Sequence, residues 1–110
     1  MVDSGQTDET IERAKVVIFK AIEQDKAPTL TTIFQHGFDI NNPIQPPEVT
    51  TLMVCCSIGS AEIMQHVLSL SPDVNKKDNV GRTALHFACR RGSLEHFNIL
   101  AEIEEIDLDV

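Results

Sequence analysis

The chain has no tryptophan and no tyrosine, and only five phenylalanines among its 110 residues. So few rings leave little stacking surface for nucleobases or sugars. Three cysteines are too few, and odd in number, for a disulfide scaffold, which points to a reducing compartment. Basic residues are scarce. Nine Lys and Arg stand against 17 Asp and Glu, for a net charge of −8. Bulk attraction to DNA, RNA or an anionic bilayer is disfavoured by that balance, so nucleic acid is not the expected partner. No apolar run approaches the roughly 18 residues of a membrane span, and none follows a basic N-terminus in the manner of a secretory signal. There is no phosphate-cradling Gly-rich loop, no Gly-x-Ser-x-Gly and no His-Glu-x-x-His. What remains is 42% hydrophobic and 24% charged, ordinary values for one small acidic domain. A cytoplasmic location, or a nuclear one, fits these features.

What is present is a repeat. Sliding Thr50 onto Thr83, an offset of 33, also superposes Leu52 on Leu85, Cys56 on Cys89, Gly59 on Gly92, Ser60 on Ser93 and Glu62 on Glu95. That is six identities over residues 50–68, where chance gives about one. The apolar pattern matches as well: Val54 on Phe87, Cys55 on Ala88, Met64 on Phe97, Val67 on Leu100. A further element recurs as Asp39-Ile40-Asn41, Asp73-Val74-Asn75 and Asp109-Val110, at spacings of 34 and 36 that imply small insertions around one period.

Each unit predicts two short helices. Thr83 is a good N-cap; Leu85, Ala88 and Cys89 share one face, and Gly92 stops the helix. Ser93 caps the second helix, with Leu94, Phe97, Leu100 and Ala101 as its buried stripe and Glu95 suited to the first turn. In the preceding unit Thr50 caps a helix that turns Leu52, Cys55 and Cys56 inward and stops at Gly59. Ser60 then starts a helix burying Ile63, Met64, Val67 and Leu68, which ends before Pro72. The stretch 75–81 is turn chemistry and predicts a protruding hairpin-like loop.

A 33-residue unit of turn plus two helices, carrying Asp78-x-x-Gly81-x-Thr83-Ala84-Leu85-His86-x-Ala88, resembles the ankyrin repeat. Ala84 stands where the family usually has Pro, a tolerable change at the first helical turn. The resemblance is in register but weaker over 44–77, where Met53 replaces the His and Glu48 the Gly. Residues 10–43 read as a degenerate first unit. A helix from about Thr10 to Gln24 would bury Ile11, Ala14, Ile18, Ala21 and Ile22. A shorter one near Pro28 would bury Leu30, Ile33 and Phe34 and stop at Gly37. A degenerate terminal unit is what a stacked array uses as a cap. The resemblance implies an all-α solenoid of stacked helix–turn–helix units with protruding hairpin loops. Its units run over about 10–43, 44–77 and 78–110, behind an acidic, mobile tail at 1–9.

The chemistry-bearing residues have structural readings. His86 can hydrogen-bond back to the Thr83 cap, a relative of the capping box. His36, His66 and His96 have no shared carboxylates and are expected at the surface. Cys55, Cys56 and Cys89 lack the C-x2-4-C pairing of a structural zinc site and are expected as core filler. The acidic run Glu102, Glu104, Glu105, Asp107 and Asp109 contains no Gly to turn it about a calcium ion. No metal, no cofactor and no enzymatic activity are expected.

One feature departs from the background. Residues 76–91 hold five of the nine bases and one of the 17 acids, a local +4 that leaves −12 elsewhere. The resemblance places Lys77, Asn79, Val80 and Arg82 on the hairpin and Arg90 and Arg91 at the exposed end of the inner helix. Val49, Ser57 and Ile58, with Pro47, stand at the matching places of the preceding unit. These residues are the expected binding surface for a partner protein or peptide with an acidic segment. The alternative is a structural N-terminal segment of a longer array that caps or spaces other domains. Asp109-Val110 looks like an incomplete exit motif, so the natural protein is expected to continue. The uncapped last unit is expected to self-associate.

Overall fold

The computed structural model describes residues 8–107, and among them the regular elements are six helices and no strand. They are α1 (Asp8–Glu23), α2 (Ala27–Gln35), α3 (Thr51–Ile58), α4 (Ala61–Leu68), α5 (Ala84–Arg91) and α6 (Leu94–Ala101). Their ends follow from local chemistry. The Ser60 and Ser93 hydroxyls accept the backbone N–H of Ile63 at 3.1 Å and of His96 at 3.2 Å, satisfying donors that the first turn leaves open. At Thr83 the backbone N–H donates to Nδ1 of His86 at 3.0 Å, the reach-back expected from the sequence. Pro28 sits in the first turn of α2, where its missing N–H costs nothing.

The two equivalent glycines end their helices for different reasons. Gly92 closes α5 in the left-handed region, at φ 78°, where a side chain is strained. Gly59 closes α3 with an extended backbone at φ −83°. Its constraint is room: a Cβ there would lie 2.9 Å from Cγ2 of Ile63 and 3.0 Å from the carbonyl oxygen of Cys55.

Each consecutive pair of helices forms a hairpin, and the pairs stack. α1, α3 and α5 make one layer and α2, α4 and α6 the other. The result is an elongated slab of 45 × 26 × 22 Å. The core runs the length of the stack, from Ile18, Ile22 and Leu30 through Met53, Cys55, Ile63, Met64 and Val67 to Ala88 and Leu100. The all-α solenoid expected from the repeat is the fold.

Several sequence expectations need correction. α1 begins at Asp8, two residues before the expected Thr10; residues 1–7 of the expected mobile tail lie outside the described residues. Leu94 is 71% exposed rather than part of a buried stripe, and Cys89 is exposed rather than core filler. His96, expected at the surface, is 3% exposed.

The exit motif is also misplaced by two residues. Asp73 donates its backbone N–H to Oδ1 of Asn41 at 2.7 Å, and Asp107 does the same to Oδ1 of Asn75 at 2.7 Å. Asn75 further donates from Nδ2 to the carbonyl of Glu105 at 2.7 Å. Asp107 is therefore the counterpart of Asp73 and Asp39, and the spacing is an even 34 with no insertion. The sequence offers Asp107 and Asp109 for that role, and only the hydrogen-bond ladder distinguishes them. Asp109 and Val110 lie outside the described residues.

Candidate functional site

The loops that enter α3 and α5 fold as tight turns rising above the inner layer. In the first, Val49 accepts from the Ile44 N–H at 2.8 Å and donates to the Gln45 carbonyl at 2.7 Å. In the second, the Asp78 N–H donates to the Arg82 carbonyl at 2.9 Å. The Asn79 N–H then donates to the Pro47 carbonyl at 2.7 Å, tying the two turns side by side.

Asp78 holds the second turn together. Its carboxylate accepts from Val80 N at 2.9 Å, Arg82 N at 2.8 Å and Arg82 Nε at 2.7 Å, and the side chain has no exposed surface. Burial alone would raise its pKa. The bonds from Arg82 and Val80, with the Arg82 charge, outweigh burial and hold the carboxyl below its ordinary value. The Arg82 guanidinium also lies 4.8 Å from the centre of the Phe87 ring. Arg82 is thus fixed on one edge by a buried carboxylate and on one face by an aromatic ring.

Below the turns lies a groove of about 250 Å³ that crosses all three helical hairpins. Phe19 comes from α1, Gln45, Pro46 and Val49 from the first turn, Val54, Ser57 and Ile58 from α3, and Arg82 and Phe87 from the start of the third hairpin. A wider cleft of about 460 Å³ opens beside Leu68, Val74 and Ile103 at the exit turns, but it touches only the last two hairpins. The groove beneath the turns combines apolar walls with an arginine whose position is set by its neighbours.

The expected site residues distribute unevenly around it. Val49, Ser57, Ile58 and Arg82 line the groove. Val49 is nevertheless only 5% exposed, so it offers a wall and not a reaching side chain. Lys77, Asn79 and Val80 are exposed on the second turn. Arg90 is exposed at the end of α5, at the opposite end of that helix from Arg82. Arg91 is turned to structural use. Its Nη1 donates to the Gly59 carbonyl at 2.7 Å and lies 3.3 Å from Nε2 of His96, which meets the same carbonyl at 2.9 Å.

The run of three arginines is therefore not one patch: Arg82 is paired, Arg91 is a clamp between hairpins, and Arg90 stands apart. Phe19, Val54 and Phe87 were missed as groove residues. Phe19 and Phe87 are partly buried, whereas Val54, 2% exposed, is like Val49 a wall; the sequence signal was the repeat alignment, which already placed Val54 on Phe87.

The cysteines offer no ready nucleophile within the core. Burial pushes the Cys56 thiol up to about 12, against a small lowering by Arg91, and burial with the neighbouring Cys56 raises Cys55 further. Among the described residues no group of three or more His, Cys, Asp or Glu stands ready to hold a metal ion. No helix there is long and apolar enough to cross a membrane.

Stacked two-helix units with a groove under projecting turns define a repeat-scaffold protein. The comparisons with known proteins give the family. A family model described as ankyrin repeats (3 copies) matches residues 18–110, and the chain belongs to the ankyrin repeat family. The crystal structure of the human ASB11 ankyrin repeat domain superposes with a TM-score of 0.65 at 27% identity, covering 77% of this chain and 38% of that one. NF-kappa-B inhibitor alpha of Gallus gallus is 33% identical over 87 residues, 74% of this chain and 26% of its own length. Neurogenic locus notch homolog protein 1 of Danio rerio is 29% identical over 90 residues, 82% of this chain and 4% of its own length. Human Rabankyrin-5 is 27% identical over 107 residues, 87% of this chain and 9% of its own length. The chain thus spans between 4% and 26% of these three relatives. Ankyrin repeats act in general as protein–protein interaction modules.

Proposed function

We propose that the chain is a non-enzymatic binding module that holds a segment of a partner protein in the groove under its turns. The observation that carries this reading is the groove itself: Phe19, Val54, Ile58 and Phe87 beside an arginine anchored by Asp78. An apolar side chain of the partner enters between the rings and the α3 side chains. Arg82, already fixed, presents its remaining N–H groups to a carboxylate or carbonyl of the same segment, so little side-chain entropy is lost on binding. Lys77 and Arg90 act at longer range and steer an acidic segment in, while Asn79 and Val80 meet it at the turn. Arg91 is left out of the binding set. The three helical hairpins support a division into units over about 10–43, 44–77 and 78–110. Three unpaired cysteines support a reducing location, the cytoplasm or nucleus.

The test is a random peptide library selected on the immobilised chain, followed by binding of the enriched peptides to Ile58→Glu and Phe87→Ala variants of intact helical signal. Enriched peptides should pair an apolar residue with an acidic one and lose about tenfold or more in affinity on either variant. Peptides that bind both variants as tightly as the parent refute the groove. The second reading, a spacer within a longer array, draws support from the length of the relatives and predicts that no peptide is enriched.

A further inference from the structure

The cleft at the exit turns shares no residue with the groove beneath the entry turns. It measures about 460 Å³ and lies within the stack, between the second and third hairpins. Leu68 at the end of α4, Pro72 and Val74 in the turn beyond it, and Ile103 past α6 form its apolar walls, each half-buried. The volume falls within the roughly 300–1,000 Å³ of clefts that take ligands.

The first hairpin shows what is missing there. At the exit spacing of 34, Leu68 and Pro72 match Phe34 and Phe38, whose ring centroids lie 6.0 Å apart. The second hairpin has no ring at either place. Its exit turn is nevertheless tied like the first: the Asn41 side chain receives the Asp73 N–H and the Asn75 side chain receives the Asp107 N–H, both at 2.7 Å. That ladder fixes the distance between neighbouring turns. Smaller side chains are then not offset by closer approach, and space is left.

Two carboxylates line the cleft and no base does. Asp73 Oδ1 accepts the Asn75 N–H at 3.0 Å, and Glu105 gives its backbone carbonyl to Asn75 Nδ2. Neither carboxylate is in an ion pair among the described residues. Exposed Glu102 and Glu104 flank Ile103 and add to the negative potential. Lys76 and Lys77 follow Asn75 in the chain, and neither lines the cleft.

We propose that this cleft is a second binding site, for a partner segment that presents an aromatic side chain next to a lysine or arginine. The ring packs over Leu68, Pro72, Val74 and Ile103 and stands in for the rings that the first hairpin supplies itself. The cation meets Asp73 and Glu105 at the rim, where both stay solvated and guide the segment in. The scaffold thus carries opposite charge preferences at its entry and exit turns. The proposal does not rest on the reading of the groove.

Heteronuclear NMR titration of the isotope-labelled 110-residue chain tests it. The probe is acetyl-Phe-Lys-amide, with acetyl-Ala-Lys-amide and acetyl-Phe-Glu-amide as comparators. The probe should shift the backbone amides of Val74, Asn75, Ile103 and Glu105 saturably, with a Kd of about 1–10 mM. Each comparator should bind about fivefold more weakly or worse, since one lacks the ring and the other reverses the charge. Leu68→Phe restores the residue of the first hairpin and should abolish these shifts at an unchanged or higher melting temperature. Glu105→Lys changes an exposed side chain and should favour the Glu peptide over the Lys peptide; it keeps the test open if Leu68→Phe loses helical signal. No saturable shift at these amides by about 20 mM overturns the proposal, and so do three peptides that bind alike. Shifts confined to the amides of Phe19, Val54 and Phe87 put the probe under the entry turns and overturn it too.

Discussion

Removing Arg91 and His96, singly and together, tests the join between the second and third helical hairpins. Both side chains converge on the Gly59 carbonyl, Arg91 Nη1 at 2.7 Å and His96 Nε2 at 2.9 Å. Arg91→Ala deletes a hydrogen bond from a charged donor, but the arginine is largely exposed and the carbonyl keeps His96. A cost of about 1 kcal/mol follows. His96→Ala takes a buried ring away from the same carbonyl and from Ser93 Oγ, which lies 2.6 Å from its Nδ1, and leaves a cavity. Its cost is about 3 kcal/mol. The double variant leaves the carbonyl with no donor, so it should lose about 1 kcal/mol beyond the sum of the two. Urea unfolding followed by far-UV circular dichroism reads all three values, with the slope checked for constancy. In a thermal scan, the Arg91 loss corresponds to about 4–8 °C for a domain of this size. If Arg91→Ala is neutral, or the pair is strictly additive, the two donors do not share one carbonyl and the clamp is refuted.

Leu85→Ala should cost about 2–5 kcal/mol, because the side chain is 6% exposed within the core; a neutral result in the same urea assay would misplace the inner face of α5. Thr51 is fully buried, and its hydroxyl has no hydrogen-bond partner among the described residues. Thr51→Val keeps the shape and should raise stability by about 1 kcal/mol, which a lower urea midpoint would contradict. Asp78 has a carboxyl held below its ordinary value in the folded chain, so its contribution is present above about pH 4 and fades as the pH falls through the folded value. Melting temperatures between pH 5 and pH 3 should therefore fall less for Asp78→Asn than for the parent, from a lower starting point; parallel curves would count against the buried pair.

The fold was legible because repetition multiplies weak signals. One Thr-x-Leu followed by a Gly-Ser is common, but two of them 33 residues apart fix helices, caps and stacking together. What escaped the sequence is what depends on position within the stack. Cys56 and Cys89 are the same residue in equivalent places, yet one is buried and the other open, because among the described residues the middle hairpin is the one with neighbours on both sides. Leu94 fails as a core residue for the same reason. His96 fails the other way: it stands where the preceding unit has buried Ile63, and a buried imidazole is tolerable only because Ser93 and the Gly59 carbonyl satisfy both ring nitrogens. Alignment with Ile63 was the signal that could have found it.

The charged patch escaped for a geometric reason. Counting charges along 16 residues treats them as neighbours, but α5 carries Arg82 at its entry and Arg90 and Arg91 at its exit. At the usual helical rise of about 1.5 Å per residue the two ends lie more than 10 Å apart. That separation is beyond the screening length of about 8 Å in physiological salt. A field summed over both ends has no single place to act. Each arginine instead answers to what is nearest: Asp78 and Phe87 hold Arg82, and the Gly59 carbonyl holds Arg91. The donor that matters for recognition is therefore the one whose partners fix it beside apolar walls, and Arg82 meets that condition while Arg90, unpartnered and distant, supplies attraction without shape.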